Sequence, residues 1–402
     1  MMRIRMLPVM LIFILAVGCR PQTVESQTPP AEQAQQRESN LPPPGRQVVG
    51  SRPPMPQPVV RETLENFRIE TIASGLVVPW DMAVAPDGRI YITERPGRVR
   101  LIANNRLRAE PYATIENVAA IDEGGLMGIA LHPDYPNPRW VYLMYTYRAD
   151  GNIYNRISRF TDTGALTDER PVVTRIPGNS FHDGGIIRFG PDGMLYAGTG
   201  DAGRAELAQD RGSLAGKILR VNPEGGVPSD NPFSGSLVYA YGFRNVQGLA
   251  WNPANNDLWA VNHGPTANDS VFIVQRGGNH GWPRVQGVTN VRGVVDPIMF
   301  FPEYSIAPSR AMFYTGSLIP NLRGNFLFTT LRGQHLQRVM LSGPRQISRI
   351  ERWWQTGRQQ GRYGRLRVLA QGRDGALYVG ASNRSRGNPR SGDDRILRIT
   401  PR

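Results

Sequence analysis

The sequence has one cysteine, Cys19, and one lysine, Lys217, among 402 residues. A single thiol excludes a disulfide framework within the chain, and any zinc or iron–sulfur site built from several of its own cysteines. Beyond residue 20 no apolar run is long enough to span a bilayer. No glycine-rich dinucleotide fingerprint or P-loop joins a strand to a helix, and there is no G-x-S-x-G elbow and no H-E-x-x-H. Nicotinamide, ATP and zinc-peptidase chemistry are therefore disfavoured. Helical periodicity is scarce as well; residues 205–214 are the best segment for a short helix.

Glycine (44) and proline (34) are abundant, which excludes a long coiled coil and calls for many turns. Hydrophobic residues make up 40% and charged residues 20%, as in a globular chain. The net charge is +14 and almost all of the positive charge is arginine. Apart from a modest cluster over 358–373, the arginines are scattered, without the stripe or tail that nucleic-acid binding needs. The planar guanidinium fork suits carboxylates, so the partner to look for is a small acidic ligand.

Residues 1–20, MMRIRMLPVMLIFILAVGCR, combine a positive start at Arg3 and Arg5 with an apolar core too short to span a membrane. The core ends in Leu15-Ala16-Val17-Gly18-Cys19, a small residue directly before the cysteine, as in a bacterial lipoprotein signal. An ordinary secretory signal is the alternative; both imply export to the periplasmic side. Residues 20–66, rich in Pro, Gln and Ser, read as a disordered tether, and the folded unit is expected over 67–402.

That unit repeats one phrase, an alternating apolar run, a tight Asp/Asn/Gly turn and a second alternating run. It occurs at 82–95, 129–146, 187–201, 248–264, 312–331 and 368–382. Pro-Asp-Gly between such runs signals a hairpin, because Pro presets φ, Asp bonds the nearby backbone and Gly takes positive φ. Further β-like runs, RVRLIA, RISRFT, KILRVN and ILRIT, fill the intervals. The pattern predicts an all-β, six-bladed β-propeller of four-stranded antiparallel blades. Two β-sandwiches would give no reason for six copies of one phrase. FRIETIA near the start and ILRIT at the end are expected to share a blade and close the ring.

Propeller ligands gather over the central channel, so polar residues flanking the phrases are the candidates. His182 and Asp201 bracket the third hairpin, which brings them to one level: a general base with its orienting carboxylate, or a loop pair at a blade edge. Arg244 and Asn245 precede the fourth phrase and suit ligand oxygens or bonds between blades. Gly264-Pro265 is a tight loop able to offer carbonyls to Ca²⁺, or simply a turn. Arg365 and Arg367 fall on one face of a strand, facing a polycarboxylate or solvent.

Together these phrases resemble the soluble PQQ-dependent sugar dehydrogenases, the glucose/sorbosone and aldose sugar dehydrogenase family. The resemblance rests on VPWDMAVAPDGRIYITERPGRVR, EGGLMGIALHPDYPNPRWVYLMY, HDGGIIRFGPDGMLYAGTGDAG, AGKILRVNPEGGVPSDNPF, YGFRNVQGLAW, HGP…GGNHGWP and GRLRV. It implies PQQ and Ca²⁺ on the propeller axis, a small-molecule sugar substrate, and a quinone, cytochrome or dye as electron acceptor. His182 resembles the base that takes the anomeric hydroxyl proton, and Asp201 its orienting carboxylate. Arg244 and Asn245 resemble the pair beside the quinone oxygens, and Arg365 and Arg367 the clamp on the PQQ carboxylates. Gly264 and Pro265 resemble the carbonyl ligands of Ca²⁺.

There are departures. Glu123 stands where characterised members have Gln, Phe243 where His is common, and Arg332 where glucose dehydrogenase has a PQQ-contacting Lys. Ser270 and His280 replace acid and Tyr ligands of a second, structural Ca²⁺. Glu303, Tyr304 and Ser305 do not match the aromatic wall that stacks on PQQ. Two other readings follow from these changes: a non-catalytic propeller lipoprotein that binds glycans or proteins, and a lactonase-type hydrolase, which the arginine-rich set suits poorly.

Overall fold

In the computed structural model, residues 41–386, 389 and 392–402 are described. The signal sequence and Cys19 lie outside them. Six sheets of four to five strands, antiparallel except for one short N-terminal strand added to the outside of the fifth, form the blades of a propeller. Every one of the six repeated phrases is the inner hairpin of a blade. The innermost strands are Pro79–Val84, Leu126–Leu131, Ile186–Phe189, Val246–Trp251, Pro308–Phe313 and Leu366–Gln371, each neighbouring the next around the axis. RVRLIA, RISRFT, KILRVN and ILRIT are third strands.

The ring closes as expected. Phe67–Ala73 pairs antiparallel with Ile396–Pro401 as the outermost strand of the last blade, so that blade is built from both ends of the folded chain. Apolar faces of adjacent blades meet in separate cores; Tyr91, Leu101, Leu126, Ile129 and Val141 fill one. On the axis a buried Asp81 accepts from Arg188 on both oxygens, each at 2.9 Å, and pairs with Arg310 at 2.6 Å. Burial opposes the Asp81 charge, but the two guanidinium groups outweigh it and hold the carboxyl below its usual range.

Two expectations need correction. The segment read as a tether over 20–66 is partly structured in its described portion. Val48–Val49 pairs in parallel with Val285–Gln286, and Val59–Arg61 with the outer strand Gln346–Trp353. Arg52 adds an ion pair to Glu303 at 2.7 Å. Val59–Arg61 adds to the edge of a blade, whereas Val48–Val49 and Val285–Gln286 make a two-stranded sheet of their own; both are backbone pairings, which need no apolar alternation in the added strand. In the region expected as a short helix, only a 3₁₀ turn forms, over Ala205–Ala208. It is pinned by Lys217, whose Nζ donates to the carbonyls of Leu207, Ala208 and Ala215. Among the described residues no helix is long and apolar enough to cross a membrane.

Candidate active site

Each inner hairpin starts and finishes at the same end of the channel. Residues just before a first strand and just after a second strand therefore converge there, while the Pro-Asp-Gly turns lie at the opposite end. A cavity of about 570 Å³ occupies the converging end. Glu123, His182, Arg244, Asn245, Gly264, Pro265, Arg332, Arg365 and Arg367 line it, and Asp201 stands directly behind His182. All ten candidate residues are thus brought together.

His182 Nδ1 lies 2.8 Å from Asp201 Oδ1. Asp201 is buried and held on its other side as well, since Oδ2 accepts from Trp282 Nε1 at 2.9 Å, while Oδ1 also takes the Gly203 N–H at 2.9 Å. Such a carboxylate fixes the proton on Nδ1 and leaves Nε2 as the acceptor. The two site strands approach closely at Gly200, where a Cβ would sit 1.8 Å from the His182 carbonyl oxygen. Only glycine permits the pair to form there.

The Asn262 side-chain oxygen accepts the N–H groups of Arg244 (3.1 Å) and Asn245 (2.9 Å). Asn245 Oδ1 in turn accepts from Gly184 N at 2.9 Å and ties two blades together, while its buried Nδ2 has no partner. The bond between blades is thus present, and Nδ2 is the atom left for a ligand. Arg244 Nη1 donates to the Gly264 carbonyl at 2.6 Å. The Gly264 loop is stapled by Asp269, which accepts from Gly264 N at 2.8 Å and, on its other oxygen, from Ser305 Oγ and the N–H groups of Ile306 and Ala307.

The expected placement of both arginines on one strand needs correction: Arg367 reaches the cavity from the strand Leu366–Gln371, where the register shifts between Leu366 and Val368, and Arg365 from the residue directly before it. Arg367 Nη1 donates to Gln247 Oε1 at 2.9 Å, its Nε is buried without a partner, and it stacks over Trp80 at 5.1 Å. Burial pushes these guanidinium groups down, to about 10 for Arg365 and about 9 for Arg367. Both remain charged near neutral pH.

The cavity carries groups that sequence reasoning missed. Arg95 and Arg386 raise its arginines to six, against three acids: Asp122, Glu123 and Asp183. Asp183 is buried, with Oδ2 unpartnered, and burial pushes its carboxyl up to about 6. His263, beside the Gly264 loop, bonds the Pro308 carbonyl through Nε2 at 2.7 Å, and burial pushes it down to about 4. Glu123 bonds Arg386 at 2.8 Å and the His182 N–H at 3.3 Å. Burial opposes its charge, but its cationic and N–H neighbours hold the carboxyl below its usual range. The excess of guanidinium over carboxylate, with unpartnered donors on Asn245 and Arg367, fits a small polycarboxylate.

At the positions compared with a structural Ca²⁺ site, Ser270 Oγ accepts from Asn262, and His280 stacks on Phe243 with ring centroids 4.3 Å apart. Among the described residues no group of three or more His, Cys, Asp or Glu side chains could hold a metal ion. A cation beside Gly264 and Pro265 would rest on backbone and ligand oxygens. Of the unmatched wall segment, Ser305 lines the cavity, while Glu303 and Tyr304 engage Arg52 and Arg352 instead.

Comparison with known proteins gives consistent matches. The family model for glucose/sorbosone dehydrogenase matches residues 76–388. The aldose sugar dehydrogenase YliI of Escherichia coli is 30% identical over 368 residues, covering 84% of this chain and 94% of the relative. The quinoprotein glucose dehydrogenase B of Acinetobacter calcoaceticus is 31% identical, covering 65% of this chain and 60% of its own length. The PQQ-bound form of an aldose sugar dehydrogenase from Streptomyces coelicolor superposes with a TM-score of 0.74 at 35% identity, over 83% of this chain and 98% of that one. With the fold, the converging site and these matches in agreement, the chain belongs to the glucose/sorbosone dehydrogenase family of PQQ-dependent sugar dehydrogenases.

Proposed function

We propose that the protein oxidises aldose sugars to lactones, with PQQ and Ca²⁺ in the cavity. One observation carries the reading: the His182–Asp201 pair opens onto a cavity walled by six arginines. Arg365, Arg367 and Arg332 would hold the cofactor's carboxylates, and Asn245 and Arg244 its quinone side. The carbonyls of Gly264 and Pro265 would contribute to a cation site. The bound quinone supplies a two-electron acceptor for hydride.

The chain's own part is proton transfer and orientation. Nε2 of His182 takes the proton of the anomeric hydroxyl as hydride leaves the same carbon, so two electrons and two protons leave the sugar in all. Asp201 steadies the imidazolium that forms, and Trp282 and Gly203 keep Asp201 in place. Arg244 offsets negative charge that develops across the cavity. Electrons would pass on to a quinone, cytochrome or dye. We place the protein on the periplasmic face of a bacterial membrane, tethered through a lipid on Cys19; Cys19→Ser should release it from the membrane fraction.

The test uses residues 20–402 with Ca²⁺ and PQQ, followed by aldoses and a dye acceptor. Saturable change in the cofactor spectrum and sugar-dependent bleaching of the dye are expected. A second reading, a non-catalytic glycan- or protein-binding propeller, is favoured by the Glu123 carboxylate within the cavity. Absence of PQQ binding would select it.

A further inference from the structure

A single exposed apolar side chain on an outer surface calls for no explanation, but one that lines a cavity beside titratable groups is a candidate ligand contact. Among the described residues the exposed large apolar side chains are three valines of the N-terminal segment, Val49, Val59 and Val60, and one aromatic, Phe181. Phe181 is 39% exposed, lines the cavity and directly precedes His182. Its ring stands edge-on to the imidazole, with centroids 4.8 Å apart and planes at 81°.

One side of the ring is backed by the chain. A Cβ on Gly203 would come within 2.9 Å of Phe181 Cε2, so the bare glycine backbone, at φ +69°, lets the ring settle there. Gly203 N also donates to Asp201, so one short turn both orients the catalytic carboxylate and seats the aromatic ring. The rest of the wall mixes six guanidinium groups with apolar side chains such as Trp80, Met127 and Leu331, but those three are buried, which leaves Phe181 as the exposed aromatic face among the described residues.

We propose that Phe181 is a stacking platform for the C–H face of an aldopyranose and sets the preference among sugars. This rests on the sugar-oxidising reading above. A pyranose with equatorial hydroxyls presents continuous C–H faces, whereas an axial hydroxyl interrupts one of them. Against a fixed aromatic face, the first class binds better through apolar contact and ring polarisability. The preferred substrates are therefore gluco- and xylo-configured aldoses, and those with axial hydroxyls on the stacked face are poorer.

The experiment compares wild type, Phe181→Ala and Phe181→Trp in the cofactor-loaded protein, with D-glucose, D-xylose, D-galactose and D-mannose. Phe181→Ala is expected to raise KM for glucose and xylose by about fivefold to tenfold, and to flatten the ranking of sugars, with the loss confined mainly to KM. Phe181→Trp should restore it. In parallel, saturation-transfer NMR on cofactor-free protein should show transfer from aromatic protons to glucose C–H groups, lost in Phe181→Ala. Unchanged KM and ranking in Phe181→Ala, with wild type active, overturns the platform and leaves the enzyme reading standing. If wild type binds no PQQ or oxidises no sugar, the enzyme reading fails by itself. The NMR comparison then decides the platform, and transfer that is absent in wild type or unaltered in Phe181→Ala overturns it.

Discussion

The indole Nε1 of Trp282 donates to the oxygen of Asp201 that His182 does not use, at 2.9 Å. The carboxylate is thereby held from both sides. Trp282→Phe keeps a large ring and removes the donor. Hydrogen bonds to charged groups contribute about 1.5–3 kcal/mol, so sugar-dependent turnover is expected to fall about tenfold or more, with PQQ binding retained in a spectral titration.

His182→Ala should abolish turnover, a loss of about 10²–10⁴ for a missing general base. The cofactor titration should be nearly unchanged, because the binding is proposed to rest on the arginines. Full activity in this variant would remove His182 from the mechanism.

Glu123→Gln replaces a carboxylate by a neutral amide of the same size among groups that would meet cofactor oxygens. Arg386, now paired with Glu123 at 2.8 Å, is released towards the cavity. PQQ affinity, followed by absorbance, should rise severalfold.

Arg367→Gln tests the opposite charge. The guanidinium is buried and pushed down to about 9, so its desolvation burdens the ligand-free protein. PQQ affinity should fall by about tenfold or more. The melting temperature of the ligand-free variant should be no lower than that of wild type.

Asp183 gives a pH signature. Its carboxyl is raised from 3.8 to about 6 in the fold. Between these values the folded protein keeps a proton that the unfolded chain has released. Stability therefore falls as pH rises through that window, and the full cost, of order 3 kcal/mol, is present at neutral pH. Asp183→Asn should melt several degrees higher than wild type near pH 7 and about equally near pH 4.

The propeller was legible because each blade repeats its own local chemistry, and a Pro-Asp-Gly turn between alternating runs needs no distant partner to be recognised. The same hairpin logic carried His182 and Asp201 to one level, since both flank one hairpin. Trp282 left no such trace. It reaches Asp201 from a loop 81 positions away, and nothing local marks that contact. Arg386 and Asp183 were equally silent, because their roles come from convergence at the channel mouth. The parallel strands Val48–Val49 and Val59–Arg61 leave no signal for a different reason: each is only two or three residues long, too short for an alternating pattern, and proline-rich sequence surrounds them.

The pairing of Phe67–Ala73 with Ile396–Pro401 also sets an order of assembly. Five blades can form from neighbouring hairpins as the chain emerges. The sixth, which carries Arg365 and Arg367, waits for the last residues to return to a strand made at the outset. The anion capture proposed for those arginines would thus be reserved for a finished polypeptide, and a chain cut short by its final strand would lose it together with the ring.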